Sequence, residues 1–381
     1  MRYTVLLPLL ACVCLLLNTK HAAANAQMPL PPKIKANGYM LLDMQSGQVL
    51  ASNNADQRLP PASLTKIMTA YIVFQTLQQG SLKLTDQVKI SKKAWRTPGS
   101  RMFIEVNSQV TVDDLLHGLV VQSGNDAAVA LAEHIAGDEA NFVQLMNTEA
   151  ARLGMRDTHF MNATGLPDEA HYTTAKDLTL ITKATIQHYP ELYKLYAKKY
   201  FTYNNIKQPN RNTLLWRDKT VDGVKTGHTQ AAGYCLVAAA ERDGMRLISV
   251  LMGAKDKAQR VNESQALLNH GYRFYRTHRL YQAEEVIHQP RIWYGAIEHL
   301  DAGPAEALYV TVPVGQYKQL KSAIRIDTTL QAPIAKGQQI GVIAVTLAGK
   351  TLQQIPLIAL QGIPVGNLWR QAVDRVWQVL E

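Results

Sequence analysis

Cysteine is almost missing from this sequence of 381 residues. Two of its three cysteines, Cys12 and Cys14, lie in an N-terminal segment that reads as removable, so Cys235 stands alone and no intramolecular disulfide is possible. Cys235 follows Tyr234 in an apolar run and reads as a buried small hydrophobe rather than a reactive thiol. Metal and cofactor patterns are absent too. There is no His-Glu-X-X-His, no paired-cysteine spacing, no Walker loop and no dinucleotide-binding glycine fingerprint. The 11 histidines show no ligand spacing, so His117, His134 and His159 read as structural or surface residues, and neither a metal nor a cofactor is implied.

The apolar run Val5 to Leu17, broken by Pro8, falls short of the ~20 residues that cross a bilayer. With Arg2 before it and the small residues Ala24-Asn25-Ala26 after it, residues 1–26 read as a secretory signal peptide, and the mature chain starts at Gln27. A lipoprotein reading at Cys12 is opposed by the apolar core continuing to Leu17. Acid is short relative to base, 30 Asp and Glu against 40 Lys and Arg, giving a formal charge of +10 that becomes +8 once Arg2 and Lys20 leave. Such a balance suits anionic surfaces such as lipid headgroups. Nucleic acid is not an expected partner, because the exported chain has no clustered basic helix and no nucleic-acid motif.

What is present is a constellation in fixed order: Ser63-Leu64-Thr65-Lys66, then Ser123-Gly124-Asn125, then Lys225-Thr226-Gly227. Each is common alone; the three in this order, on a helix start, a loop and a strand, describe a serine acyl-transfer site. A serine hydroxyl becomes a competent nucleophile when a nearby base takes its proton. On a helix, positions i and i+3 share a face, so Ser63 and Lys66 should meet. Pro60 and Pro61 precede the helix, Ile67, Met68, Tyr71, Ile72 and Phe74 run along it, and Gly80 follows it, so Lys66 falls in the first turn. There the helix dipole, and a second cation from Lys225, should push Lys66 towards the neutral amine that a general base requires.

These residues resemble the D-alanyl-D-alanine carboxypeptidases, low-molecular-mass penicillin-binding proteins of the serine peptidase kind. The likeness extends through Val221-Asp222-Gly223-Val224 before Lys225, His228-Thr229 and Ala232-Gly233-Tyr234 after it, and Arg260-Val261-Asn262-Glu263-Ser264. The resemblance implies that Ser63 is acylated, Lys66 is its base, Ser123 relays a proton to the leaving group and Asn125 holds the substrate peptide. It also implies that Lys225 and Thr226 bind the terminal carboxylate, that the backbone N–H groups of Ser63 and His228, beside Gly227, form the oxyanion hole, and that Arg260 pairs with the chain end. Arg211 stands either with Arg260 or as a solvated loop arginine. Thr164 in Asn162-Ala163-Thr164-Gly165-Leu166 departs from the family, which often has histidine there.

The implied substrate is the peptidoglycan stem pentapeptide, with β-lactam antibiotics as inhibitors. Two other readings stand beside it: a D,D-endopeptidase or serine β-lactamase, and a noncatalytic wall-binding protein.

The expected fold is an α/β (α+β) catalytic domain of the serine DD-peptidase and β-lactamase kind, residues 27–280, followed by a small all-β domain, 281–363. Hairpins over Gly38 to Asp43 with Gln48 to Ala51, and Gly233 to Ala240 with Met245 to Met252, should share one antiparallel sheet. Helices are expected over Leu64–Gln79, Val112–Leu119, Asp126–Ile135, Glu139–Leu153, Thr174–Gln187 and Asn262–Tyr275. Residues 364–381 form an amphipathic helix with Trp369 and Trp377, suited to the membrane interface, the alternative being a helix packed on the β domain. The chain is thus expected to be exported to the periplasm and attached peripherally to the outer face of the cytoplasmic membrane.

Overall fold

Both hairpins form and share one sheet. The computed structural model describes residues 30–326 and 329–380, so the signal segment lies outside the described residues. An antiparallel five-stranded sheet runs in the order Val49–Asn53, Gly38–Asp43, Met245–Ala254, Gly233–Arg242, Val221–Thr229. Alternation along the strands sorts their side chains into two cores. Met40, Leu42, Val237, Ala239, Ile248 and Val250 face a helical layer that includes Lys66–Gln78, Asn125–Ala136, Glu139–Arg152 and Ala175–His188. Leu41, Leu236, Ala238, Leu247 and Leu251 point to the opposite face, where Leu267, Leu268 and Tyr272 of the helix Lys257–Phe274 cover them.

Two consequences position the site. Lys66–Gln78 is apolar all round, from Ile67 to Phe74, and is accordingly buried, which fixes its first turn against the sheet. Val221–Thr229 is an edge strand, so one side pairs with Gly233–Arg242 while the other is open to the nucleophile turn. The closing helix starts at Lys257 rather than Asn262, capped by Asp256 accepting from the Gln259 N–H, which places Arg260 in its first turn.

The chain then passes directly into Tyr275–Tyr281, paired with Leu308–Pro313, and a four-stranded sheet of Ala302–Gly303, Lys350–Ala359, Gln339–Leu347 and Leu320–Arg325. This unit has its own core, with Ile292, Leu300, Val310, Ile343, Leu357 and Ile363. Buried Asp43 joins it to the first sheet, accepting from Thr277 Oγ1 (2.8 Å) and Ser46 Oγ (2.7 Å).

The terminal helix Leu368–Leu380 docks on the β unit by its polar side. Asp374 is buried and accepts from the Tyr294 N–H at 2.7 Å, with Arg291 at 3.5 Å, and Gln378 accepts from the Tyr294 hydroxyl. Its apolar side points outward, leaving Leu368 84 % and Trp369 78 % exposed. A helix held to a core is normally oriented the other way.

Candidate active site

Ser63 sits in a 3-10 turn, Ala62–Thr65, that leads into the buried helix at Lys66. Ala62 takes a left-handed conformation (φ +48°), a strained choice for a residue with a Cβ. Backbone presses on this turn from two sides. A Cβ on Gly227 of the edge strand would lie 3.0 Å from the Pro61 carbonyl oxygen, and one on Gly165 would lie 1.8 Å from that of Ala62. Thr65 Oγ1 donates to the Ala62 carbonyl (2.9 Å) and lies 2.9 Å from His171 Nε2. With the hydroxyl proton used, His171 donates from Nε2, leaving Nδ1 to accept from the Met161 N–H. Burial brings the His171 pKa down to about 4, with the nearby Lys66 charge acting in the same direction, so the ring stays neutral near pH 7.

Lys66 Nζ is fully enclosed, 2.6 Å from Asn125 Oδ1, 2.6 Å from the Thr164 carbonyl oxygen and 3.1 Å from Ser63 Oγ. The first two partners can only accept, so they take both hydrogens of a neutral amine and leave its lone pair to face the Ser63 hydroxyl. Burial brings the Lys66 pKa down to about 7, opposed by Asp126 and assisted by the Arg211 charge. Desolvation therefore does most of what the sequence reading assigned to the helix dipole and Lys225. The Thr164 contact is made by its carbonyl, and its hydroxyl donates to Asn162 Oδ1 (2.9 Å), so a histidine is not needed for this contact to Lys66.

Ser123 ends the turn Gly118–Gln122 in a left-handed conformation (φ +66°) and precedes the helix Asn125–Ala136. Its buried Oγ has no hydrogen-bond partner among the described residues, a costly state unless a reacting group supplies one. Asn125 is held at both ends of its amide, by Lys66 and by the Pro98 carbonyl (2.5 Å from Nδ2), leaving one N–H free of these contacts.

Ser63, Ser123, Thr226, Gly227, His228, Arg211 and Arg260 line one cleft of about 860 Å³. Arg211 is exposed at the rim of this cleft, and its Nε donates to the Gln122 carbonyl (2.9 Å). Buried Arg260 has an Nε without a partner among the described residues and lies 5.8 Å over the Tyr234 ring, which also stacks on His228 at 3.9 Å. Lys225 is buried and donates to the Thr226 carbonyl (3.0 Å); burial first, then Lys66, Arg211 and Arg260, hold its pKa well below the ordinary lysine value. The cleft thus concentrates positive charge with little protein acid to neutralise it, an arrangement that suits a carboxylate.

Three supports were missed in the sequence. Besides His171, buried Asp126 accepts from the N–H groups of Met102 (3.0 Å) and Phe103 (3.0 Å), fixing the loop that carries Ser100 into the cleft. Asn162 Oδ1 accepts from the N–H groups of Thr164, Gly165 and Leu166, shaping the loop that presents the Thr164 carbonyl to Lys66. An Asn-X-X-Gly loop was the available signal for the last.

Family models match residues 23–256 as D-alanyl-D-alanine carboxypeptidase and residues 275–365 as the C-terminal domain of penicillin-binding protein 5. The chain is 44 % identical to the D-alanyl-D-alanine carboxypeptidase DacC of Escherichia coli K12 over 93 % of its own length and 90 % of that protein's. It is similar in structure to penicillin-binding protein 5 from Haemophilus influenzae, with a TM-score of 0.86 at 43 % identity, covering 88 % of this chain and 99 % of that one. It also matches penicillin-binding protein D2 from Listeria monocytogenes in its ampicillin-bound form, with a TM-score of 0.59 at 30 % identity, over 64 % of this chain and 100 % of that one. With sequence and fold matched along most of its length, the chain belongs to the D-alanyl-D-alanine carboxypeptidase family.

Proposed function

We propose that the chain is a serine-type D-alanyl-D-alanine carboxypeptidase that removes the terminal D-alanine from peptidoglycan pentapeptides through an acyl-enzyme on Ser63, and that β-lactams acylate the same residue. The observation that carries this mechanism is Lys66 Nζ standing 3.1 Å from Ser63 Oγ, with acceptor-only groups at its other two contacts to take the hydrogens of its neutral form. Ser63 Oγ attacks the penultimate carbonyl while Lys66 takes its proton. The backbone N–H groups of Ser63 and His228 stabilise the oxyanion, and Gly227 lets their two segments approach closely enough to share it. Ser123 passes a proton to the departing amine, and water then cleaves the ester. Asn125 steadies the substrate peptide, while Lys225, Thr226, Arg260 and Arg211 receive the terminal carboxylate.

Mass spectrometry of defined monomeric and cross-linked muropeptides tests this. Loss of one alanine, absent with Ser63→Ala, is the expected result; conversion of cross-linked dimers to monomers instead would make the enzyme an endopeptidase. Arg260→Ala should lower kcat/KM for the free pentapeptide by about 10- to 100-fold, the loss of a charge-assisted contact. A substrate amidated at its C-terminus should respond far less to that substitution. Equal losses on both would remove Arg260 from carboxylate recognition.

The inverted terminal helix supports attachment to a membrane surface. Among the described residues no helix is long and apolar enough to cross a membrane, whereas the outward Leu368, Trp369 and Val376 suit shallow insertion. Together with the signal segment, this supports a periplasmic enzyme on the outer face of the cytoplasmic membrane. Leu368→Ser with Trp369→Ser and Val376→Ser should abolish co-sedimentation of the mature chain with anionic vesicles while leaving hydrolysis of a soluble pentapeptide unchanged. Retained co-sedimentation would rule the helix out as the attachment.

A further inference from the structure

A second recess adjoins the nucleophile, and the chemistry above makes no use of it. This groove of about 520 Å³ begins at Pro61 and Ala62, directly before Ser63, and is bordered by the loop Gly165 to Glu169, by Tyr172 and by Thr229 at the end of the edge strand. Arg211 and Arg260 line the larger cleft and not this groove. If they hold the terminal carboxylate, the leaving residue occupies the cleft, and the rest of the stem must run from Ser63 towards the groove. Extended chain advances about 3.3 Å per residue, so the residue preceding the acylated D-alanine falls inside it.

The charge of the groove then limits which side chain fits. Its cation among the described lining residues, Arg58, is already paired with Asp157 at 2.8 Å and lies 4.7 Å over the Tyr172 ring. Its histidine, His171, is neutral near pH 7. Asp168 and Glu169 are exposed, and neither forms an ion pair among the described residues; Asp168 uses Oδ1 to cap the Ala170 N–H (2.8 Å) and keeps its other oxygen available. On a chain with an overall excess of base, the groove presents carboxylate to its occupant.

We propose that this groove binds the residue on the amino side of the acylated D-alanine, a diamino acid, and that Asp168 and Glu169 recognise the free ammonium at the end of its side chain. The inference rests on the carboxypeptidase reading. It gives the enzyme a means of telling stems apart, since an amine consumed in a cross-link no longer carries charge, and such stems lose this contact.

The test uses the mature chain and two pentapeptides that differ in one group, a lysine at the third position with its side-chain amine free or acetylated. The free amine should be preferred about three- to fivefold in kcat/KM at low salt, as befits exposed charge pairs, and the preference should fade as salt is added. In Asp168→Asn with Glu169→Gln, which keeps the Ala170 cap, the preference should vanish while the acetylated peptide is cleaved at the original rate. Equal handling of both peptides by the unsubstituted enzyme, or a preference that survives the double substitution, overturns the proposal. If neither peptide were cleaved, the carboxypeptidase reading itself would fall and take the proposal with it.

Discussion

Lys66→Ala is expected to slow acylation of Ser63 by about 10²- to 10⁴-fold, the usual contribution of a positioned general base. The physical reason is that Lys66 Nζ stands 3.1 Å from Ser63 Oγ, and the resemblance supplies no other base at that distance. The pH profile makes the prediction specific. Burial brings the Lys66 pKa down to about 7, so the reactive neutral amine is the minor form below that pH and the major form above it. The acylation rate of the free enzyme should therefore rise with pH and level off above about 7, whereas an ordinary lysine would place the rise near 10.5. Lys66→Arg should be as inactive as the alanine variant across this range, because a guanidinium does not deprotonate. Stopped-flow acylation by a chromogenic β-lactam between about pH 5 and 10 reads all three proteins. A wild-type profile flat through that interval, or a Lys66→Arg enzyme with near-normal rates, would assign the base elsewhere.

What could be read in advance was what depends on local pattern. Asp243-Gly244 between two apolar runs signals a hairpin, and both residues adopt the positive φ that the turn requires, +49° and +76°. Ser63 with Lys66 is an i, i+3 spacing, met here across the 3-10 turn that enters the helix, and Ser123 in the left-handed bend between two helices follows from where the periodic runs stop. What could not be read depends on residues distant in sequence. Asp126 looks like an ordinary first-turn acid until Met102 and Phe103 turn their N–H groups onto it. His171 is one of many histidines until the fold brings it to Thr65, 106 positions away. The terminal helix was correctly seen as two-faced, but its orientation depends on Asp374 finding Tyr294 and Arg291, and no periodicity encodes that meeting. For Lys66 the closeness to Ser63 was visible while the leading cause of its depressed pKa was not, because burial is a property of the assembled core.

Gly165→Ala should remove both stability and activity, although Gly165 makes no side-chain contact. Its φ of +85° alone costs alanine about 1 kcal/mol. The larger obstacle is steric: the added Cβ would lie 1.8 Å from the Ala62 carbonyl oxygen, 2.3 Å from its carbon and 2.9 Å from Thr65 Oγ1. Since the closest two atoms are backbone, no rotamer relieves the clash, and either the nucleophile turn or the loop must move. The loop is braced by Asn162, and shifting it withdraws the Thr164 carbonyl from Lys66; moving the turn displaces Ser63. Each response damages the geometry on which acylation depends, so a rate loss of about 10²-fold should accompany about 2–4 kcal/mol of destabilisation. Gly80→Ala is the control, because its φ of +75° is similarly unfavourable and no heavy atom lies within 4 Å of the added Cβ. That variant should lose about 1 kcal/mol and acylate normally. Chemical denaturation and β-lactam labelling of the two proteins separate backbone strain from contact: if Gly165→Ala fared no worse than Gly80→Ala, the close approach at Ala62 would not be what holds the nucleophile turn in place.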